Sequence, residues 1–143
     1  MKVFLDTNVL LDFADARNNA FQAEAILNLG KRGEIVNCAS YLSYANINYI
    51  KRDLPRATRY QLIRDLSKDI TVLPCDAVQL NEALAHEDVR DFEDLLQYKC
   101  AQAAGCDVIV TNNTKDYQEF CDIPFMSSRD FLLHYFIHKE EQE

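Results

Sequence analysis

Tryptophan is absent from this chain of 143 residues, and glycine and proline occur three times each. Gly30, Gly33 and Gly105 do not form a phosphate-cradling glycine loop, which weakens a reading as a phosphotransferase or phosphatase of another α/β family. No apolar stretch approaches the ~20 residues of a membrane span, so no membrane association is expected. The cysteines Cys38, Cys75, Cys100, Cys106 and Cys121 are odd in number and contain no C-x-x-C pair. Neither a disulfide framework nor a zinc site is indicated, and they read as small buried apolar residues. Positive charge is also scarce: 15 Lys and Arg against 23 Asp and Glu leave a net charge of −8. That argues against tight retention of nucleic acid by bulk charge. It does not exclude an acidic site screened locally by metal ions. The start of the chain has no basic leader with a cleavage site, which predicts a cytoplasmic protein.

The apolar fraction, 48%, suits one globular domain over 1–143 with a sizeable core. Short apolar runs alternate with helical patterns, the signature of βα units. Strands are predicted over residues 2–6, 34–38, 70–73, 107–111 and 124–126. Helices are predicted over 7–16, 19–31, 41–52, 55–66, 77–86, 92–104 and 128–138, with a short one near 115–120. Thr7 or Asn8 is expected near the cap of the first helix, with Val9, Leu10 and Phe13 facing inward. The second helix should bury Phe21, Ala25, Ile26 and Leu29 and end at Gly33. Ser40 is expected to cap a helix burying Leu42, Ala45 and Tyr49, and Asp76 to cap the helix from Ala77. Residues beyond Lys139 are expected to fray. The ordering predicts a three-layer α/β/α fold with a mainly parallel sheet, whose strand ends gather on one edge.

Two strands end on polar residues: Phe4-Leu5-Asp6-Thr7-Asn8, and Val110-Thr111 followed by Asn112-Asn113-Thr114-Lys115-Asp116. Between them Asp91-Phe-Glu93-Asp94 opens a helix. Asp6, Asp94 and Asp116 are therefore candidates for one pocket at the carboxyl edge of the sheet. Asp91 lies one turn before Asp94 and shares its face, while Glu93 points elsewhere in a regular helix. Clustered carboxylates suit metal-dependent phosphodiester cleavage, because they hold hard divalent ions through oxygen. Each segment also has a plain reading as a helix cap or as acids at a helix N-terminus. Charge is uneven elsewhere. Lys51, Arg52, Arg56, Arg59 and Arg64 face only Asp53 in their segment, and could guide RNA, meet an acidic partner or form a solvated helix face. Tyr41, Tyr44 and Tyr49 could stack on bases or pack in a core or dimer interface. His86, His134 and His138 form no ligand pattern.

These segments together resemble the PIN-domain family of metal-dependent ribonucleases, close to the VapC-type toxins of toxin–antitoxin systems. The resemblance rests on Phe4-Leu5-Asp6-Thr7-Asn8-Val9-Leu10, on Asp91-Phe-Glu-Asp94-Leu-Leu-Gln, and on Val110-Thr111-Asn112-Asn113-Thr114-Lys115-Asp116-Tyr117. It implies a small α/β/α domain, Mg²⁺ or Mn²⁺, cleavage of single-stranded RNA, a cognate antitoxin protein and a homodimer. Asp6, Asp94 and Asp116 match family acids. Thr111 and Asn113 match the polar residues beside the last acid, and Asn8 is a further supporting amide. The chain departs from the family in Ser40-Tyr-Leu-Ser43-Tyr-Ala-Asn46, where Asn46 replaces a usual glutamate. An amide brings no charge and cannot act as a base. The expectation is that Asp91 joins the metal ligands to restore that charge. The alternative is a PIN-like RNA- or protein-binding module with weakened catalysis.

Overall fold

The computed structural model describes residues 1–142. The strands β1 (Lys2–Leu5), β2 (Val36–Ser40), β3 (Thr71–Leu73), β4 (Val108–Val110) and β5 (Phe125–Met126) form one sheet in the order β3-β2-β1-β4-β5. Every pairing is parallel, with Phe4 beside Cys38 on one flank and beside Ile109 on the other. The helices are α1 (Thr7–Ala14), α2 (Ala20–Lys31), α3 (Tyr41–Ile50), α4 (Arg56–Ser67), α5 (Ala77–Leu84), α6 (Phe92–Ala103) and α7 (Ser128–Gln142). A 3-10 turn, Thr114–Tyr117, follows β4.

An all-parallel sheet must be covered on both faces, and the strand sequences supply both coats. Val3, Leu5, Val108 and Val110 alternate onto one face, where they pack with Leu10, Ile26, Ile47, Leu66 and Phe131. Phe4, Cys38 and Ile109 point to the other face and meet Leu95, Tyr98, Ala101 and Tyr117. Complete burial of a side chain such as Phe4 or Ile109 stabilises the fold by ~1.5–3 kcal/mol. The chain runs β1 to β2 to β3 outward in one direction, then returns to the other side of β1 for β4 and β5. The connections reverse at the β1–β4 boundary, which opens a crevice beyond the carboxyl ends of those two strands.

Several expectations shift. Strand β2 lies at Val36–Ser40, two residues later than 34–38, because Gly33 turns the chain at φ 75° and Val36 is the first residue to pair with β1. Phe13 is 37% exposed and Phe21 79% exposed, so neither is core. In α2 Ile26 and Leu29 are buried as expected, with Ala23 in place of Phe21 and Ala25. In α3 it is Ser43, Tyr44 and Ile47, not Leu42, Ala45 and Tyr49. The reason lies in polar anchors: Tyr44 donates its hydroxyl to the Leu66 carbonyl at 3.1 Å, and Ser43 joins a buried hydrogen-bond network. Ser40 occupies the cap position of α3 but makes no capping bond, since its hydroxyl donates to Gln97. Asp76 caps α5 as expected, in a reciprocal box with Gln79. Helix α7 continues past Lys139 to Gln142.

Helix α2 approaches β2 closely at Gly30. A Cβ there would lie 2.5 Å from Asn37 Nδ2, which donates to the Ile26 carbonyl at 3.1 Å. Asn37 is buried and cannot yield without losing that bond. Gly30→Ala is expected to destabilise the protein by ~1–3 kcal/mol, the usual cost of overpacking. A denaturant titration with an unchanged midpoint would show that α2 and β2 have slack the structure does not suggest.

Candidate active site

Asp6 ends β1 and is the N-cap of α1, so one carboxylate serves both the helix and the crevice. Its Oδ1 accepts from the Thr7 amide at 2.7 Å. Its Oδ2 accepts from the Thr111 hydroxyl at 2.9 Å and from Asn8 Nδ2 at 3.0 Å. An ionised carboxylate offers about four lone-pair sites, so three donors fix its orientation and leave room for one further partner. Asn8 also accepts from the Asn112 amide at 3.0 Å. Asn112 in turn donates to the buried Asp12 at 2.6 Å and accepts from the Ser128 amide at 3.1 Å. The ends of β1 and β4 are thus tied together through α1 and α7.

The other acids arrive from α6 and from the turn after β4. Asp94 stands in the first turn of α6 and, with Asp6 and Glu93, lines an open pocket of about 340 Å³. Burial and the charges of Asp6, Asp91, Asp116 and Glu93 push the Asp94 carboxyl up to about 8. Burial likewise raises Asp6, against the lowering effect of its donors. Asp116 is exposed on the 3-10 turn and lines no wall of the pocket, yet its charge raises both Asp6 and Asp94. Asn113 lines the pocket and donates its amide to Thr111 Oγ1 at 3.1 Å.

Asn46 also faces the pocket, but its partner differs from expectation. Its amide donates to Glu93 Oε1 at 2.5 Å. Glu93, which a regular helix would turn away, therefore brings a negative charge to the position of the missing glutamate. Asp91 instead caps α6, its Oδ1 accepting from the Asp94 amide at 3.0 Å. Its backbone is extended (φ −106°, ψ 102°), so the same-face argument for helical residues three apart does not reach it. Asp91 acts on the pocket through its field, which raises Asp94 and Glu93, and not from its wall.

Of the basic residues, Lys51 is engaged by Asp15. Arg52 sits 4.4 Å over the Tyr49 ring. Arg56 is exposed at the start of α4, and Arg59 reaches back to the Arg52 carbonyl at 3.4 Å. Tyr49 and Ile50 bring the end of α3 to the pocket itself.

Three residues stood in the quoted motifs with no role assigned to them. Gln97 is wholly buried on α6, one turn after Asp94. It accepts from Ser40 and donates to Ser43 Oγ at 3.0 Å, and Ser43 meets Thr7 Oγ1 at 2.8 Å. Each member adjoins a pocket residue: Thr7 follows Asp6, Ser43 is one turn before Asn46, and Gln97 one turn after Asp94. The network is a polar floor that fixes three elements together. A lone amide within Leu95-Leu96-Gln97-Tyr98 was the available signal. The second residue, Tyr117, is fully buried beside Asp6, and its hydroxyl helps to hold the Asp6 charge against the effect of burial. The third, Asn112, was hidden beside Asn113 in a polar run.

Among the described residues, no three His, Cys, Asp or Glu side chains converge into a ready ligand cage. The donor set nevertheless fits a hard divalent ion. Mg²⁺ keeps several waters and needs one or two direct carboxylates, which Asp6 and Asp94 can provide with Glu93 and Asp116 at longer range. The result is an acidic pocket at the switch point of a parallel α/β sheet.

Comparison with known proteins agrees with this architecture. A PIN domain profile matches residues 2–115. Ribonuclease VapC1 of Aquifex aeolicus (strain VF5) is 23% identical over 137 residues, covering 91% of this chain and 92% of that protein. The structure of DNA-bound VapBC from Salmonella typhimurium matches with a TM-score of 0.71 at 20% identity, over 90% of this chain and 98% of that one. VapBC-1 from nontypeable Haemophilus influenzae gives 0.69 at 19% identity, over 90% and 99%. The chain belongs to the PIN domain family.

The carboxyl cluster sets a pH dependence. The Asp94 proton affinity is raised in the folded state, from 3.8 to about 8, so folding favours the protonated form. That stabilisation is full below the ordinary carboxylate range and is lost as pH rises toward 8. Thermal unfolding in EDTA should show wild type losing stability between pH 5 and pH 8, and Asp94→Asn losing less. Equal slopes for the two proteins would mean that Asp94 is not the strained group.

Proposed function

We propose that this chain is a Mg²⁺- or Mn²⁺-dependent endoribonuclease that cleaves single-stranded RNA and serves as the toxin of a toxin–antitoxin pair in the cytoplasm. The observation that carries this reading is the fixed Asp6 carboxylate, facing Asp94 and within the field of Asp116, in a PIN domain. The named relatives support the rest: one is a ribonuclease, and several solved structures are toxin–antitoxin or VapBC complexes. An antitoxin partner and a homodimer belong to the same proposal. A monomer in static light scattering at micromolar concentration would remove the dimer without touching the chemistry.

In this reading Asp6 and Asp94 hold the metal with Asp116 and Glu93 at longer range, while Asn8 and Thr111 keep Asp6 in one orientation. A bound divalent ion supplies Lewis-acid activation of water and charge neutralisation on the phosphate. Asn46 steers Glu93, whose carboxylate supplies the negative charge that the amide lacks. Asn113 stands at the pocket wall where a phosphate oxygen or water can accept its side-chain amide. The binding-module alternative follows from Asn46 alone, and the Glu93 contact argues against it.

The test is cleavage of single-stranded RNA by wild type and Asp6→Asn, each with Mg²⁺, Mn²⁺ or EDTA. Cleavage should require metal and fall in Asp6→Asn by more than the ~10–100-fold typical of outer-shell changes. Cleavage that survives EDTA, or that Asp6→Asn retains, would sink the assignment. RNA binding without cleavage at any metal concentration would establish the binding module instead.

The exchange of roles between Asp91 and Glu93 gives a separate expectation. Glu93→Gln should weaken Mn²⁺ binding and slow cleavage more than Asp91→Asn, since asparagine still caps α6. Mn²⁺ affinity from electron paramagnetic resonance and cleavage rates would rank the two. The opposite ranking returns the compensating charge to Asp91.

A further inference from the structure

The lining of the acidic pocket includes apolar surface that phosphodiester chemistry does not explain. Leu11, Tyr49 and Ile50 line it together with Asp6 and Asp94. Tyr49 is 66% exposed and Ile50 45% exposed, so this is open apolar surface in a pocket that also holds charged groups. The neighbouring Tyr44 shows the contrast, being buried and bonded to the Leu66 carbonyl. Arg52 covers the Tyr49 ring with its guanidinium 4.4 Å from the centroid. Its Nη1 also donates to the Tyr49 carbonyl at 3.0 Å, which pins the stack. With most of Tyr49 still exposed, the ring remains open to a planar ligand. Arg52 makes no ion pair among the described residues, whereas the charge of Lys51 is taken by Asp15.

We infer that Tyr49, backed by Arg52, is a nucleobase-stacking subsite for single-stranded RNA beside the metal pocket. The inference rests on the ribonuclease reading and adds a substrate contact to it. A flat aromatic face recognises any base, provided the base is out of a duplex stack. Arg52 stiffens the ring and presents a cation to the adjoining phosphate. The pocket, about 340 Å³, is of the size of a small-ligand site. The site selects for single strands without demanding a sequence.

The experiment uses the full chain carrying Asp6→Asn, so that RNA is not consumed. Fluorescence anisotropy in Mg²⁺ compares oligo(A), oligo(U) and an abasic ribose–phosphate oligomer of the same length. Both base-bearing strands should bind more tightly than the abasic one. Adding Tyr49→Ala should reduce their affinity on the order of tenfold and leave abasic binding unchanged, while Tyr49→Phe retains the affinity. Arg52→Gln should lower the slope of log affinity against log salt by about 0.7. Tyr49 is exposed, and circular dichroism verifies that each variant is folded. The stacking site is overturned if Tyr49→Ala leaves base-bearing affinity unchanged, or weakens abasic binding equally. Cleavage by the chain with native Asp6, measured in parallel, separates the two ideas. Metal-dependent cleavage with Tyr49-indifferent binding overturns stacking alone. Tyr49-dependent, base-selective binding without cleavage at any metal concentration overturns the ribonuclease reading alone. No RNA binding together with no cleavage by the native chain overturns both.

Discussion

A carboxylate that is only 5% exposed, at the end of the central strand, sets the terms for the rest of the structure. Asp6 is held by donors from both ends of the sequence: Thr7 and Asn8 directly after it, and Thr111 more than a hundred residues later. These bonds require β1 and β4 to be neighbours, so they report the strand order as well as the site. Neighbouring charges then oppose one another. Two carboxylates at ~4 Å repel by roughly 4 kcal/mol at an effective dielectric of 20. Burial first, and then the charges of Asp6, Asp91, Asp116 and Glu93, raise the proton affinity of Asp94. A proton relieves the repulsion, and under the ribonuclease reading a hard cation does the same.

Mutual repulsion between the acids of β1 and α6 would push those elements apart unless something below the acids resisted it. The Gln97 floor does so with neutral groups. Its amide joins Ser40, Ser43 and, more distantly at 3.5 Å, Thr7. Each partner is buried, so opening the crevice would strand polar atoms at ~1–3 kcal/mol apiece. A hydrophobic floor would pack as well but slide more easily. Directional bonds fix the register of the three elements, and with it the spacing of Asp6, Asn46 and Asp94.

Much of this was legible in the sequence because strands and pockets share one signal. An apolar run that stops on Asp or Thr states both where a strand lies and which residues stand at its edge, and β1 and β4 followed that rule. Helix faces were harder. In α3 the stripe Leu42, Ala45 and Tyr49 looked apolar, but hydrogen bonds turned Ser43 and Tyr44 inward, an outcome that hydrophobic spacing cannot register. The first turn of α6 misled for another reason. Helical spacing assumes helical backbone, and Asp91 is a cap with extended dihedrals. That moved the pocket-facing charge from Asp91 to Glu93. Gln97 and Tyr117 stood in the motifs without a role, because their partners come from distant segments.

The turning of α3 also bears on how an acidic protein could meet RNA. With a net charge of −8, the chain cannot rely on a broad basic surface. Of its basic cluster, Lys51 is neutralised locally and Arg52 is stacked on Tyr49. Under the ribonuclease reading, attraction at the pocket is local: a cation for the phosphate, an aromatic face for the base. Such a site gains little from duplex RNA, whose bases are already stacked and whose higher phosphate density meets the surrounding acids. Preference for single strands then follows from the placement of one exposed tyrosine beside a carboxylate cluster, and that placement exists because Ser43 and Tyr44, not Tyr49, anchor α3 to the core.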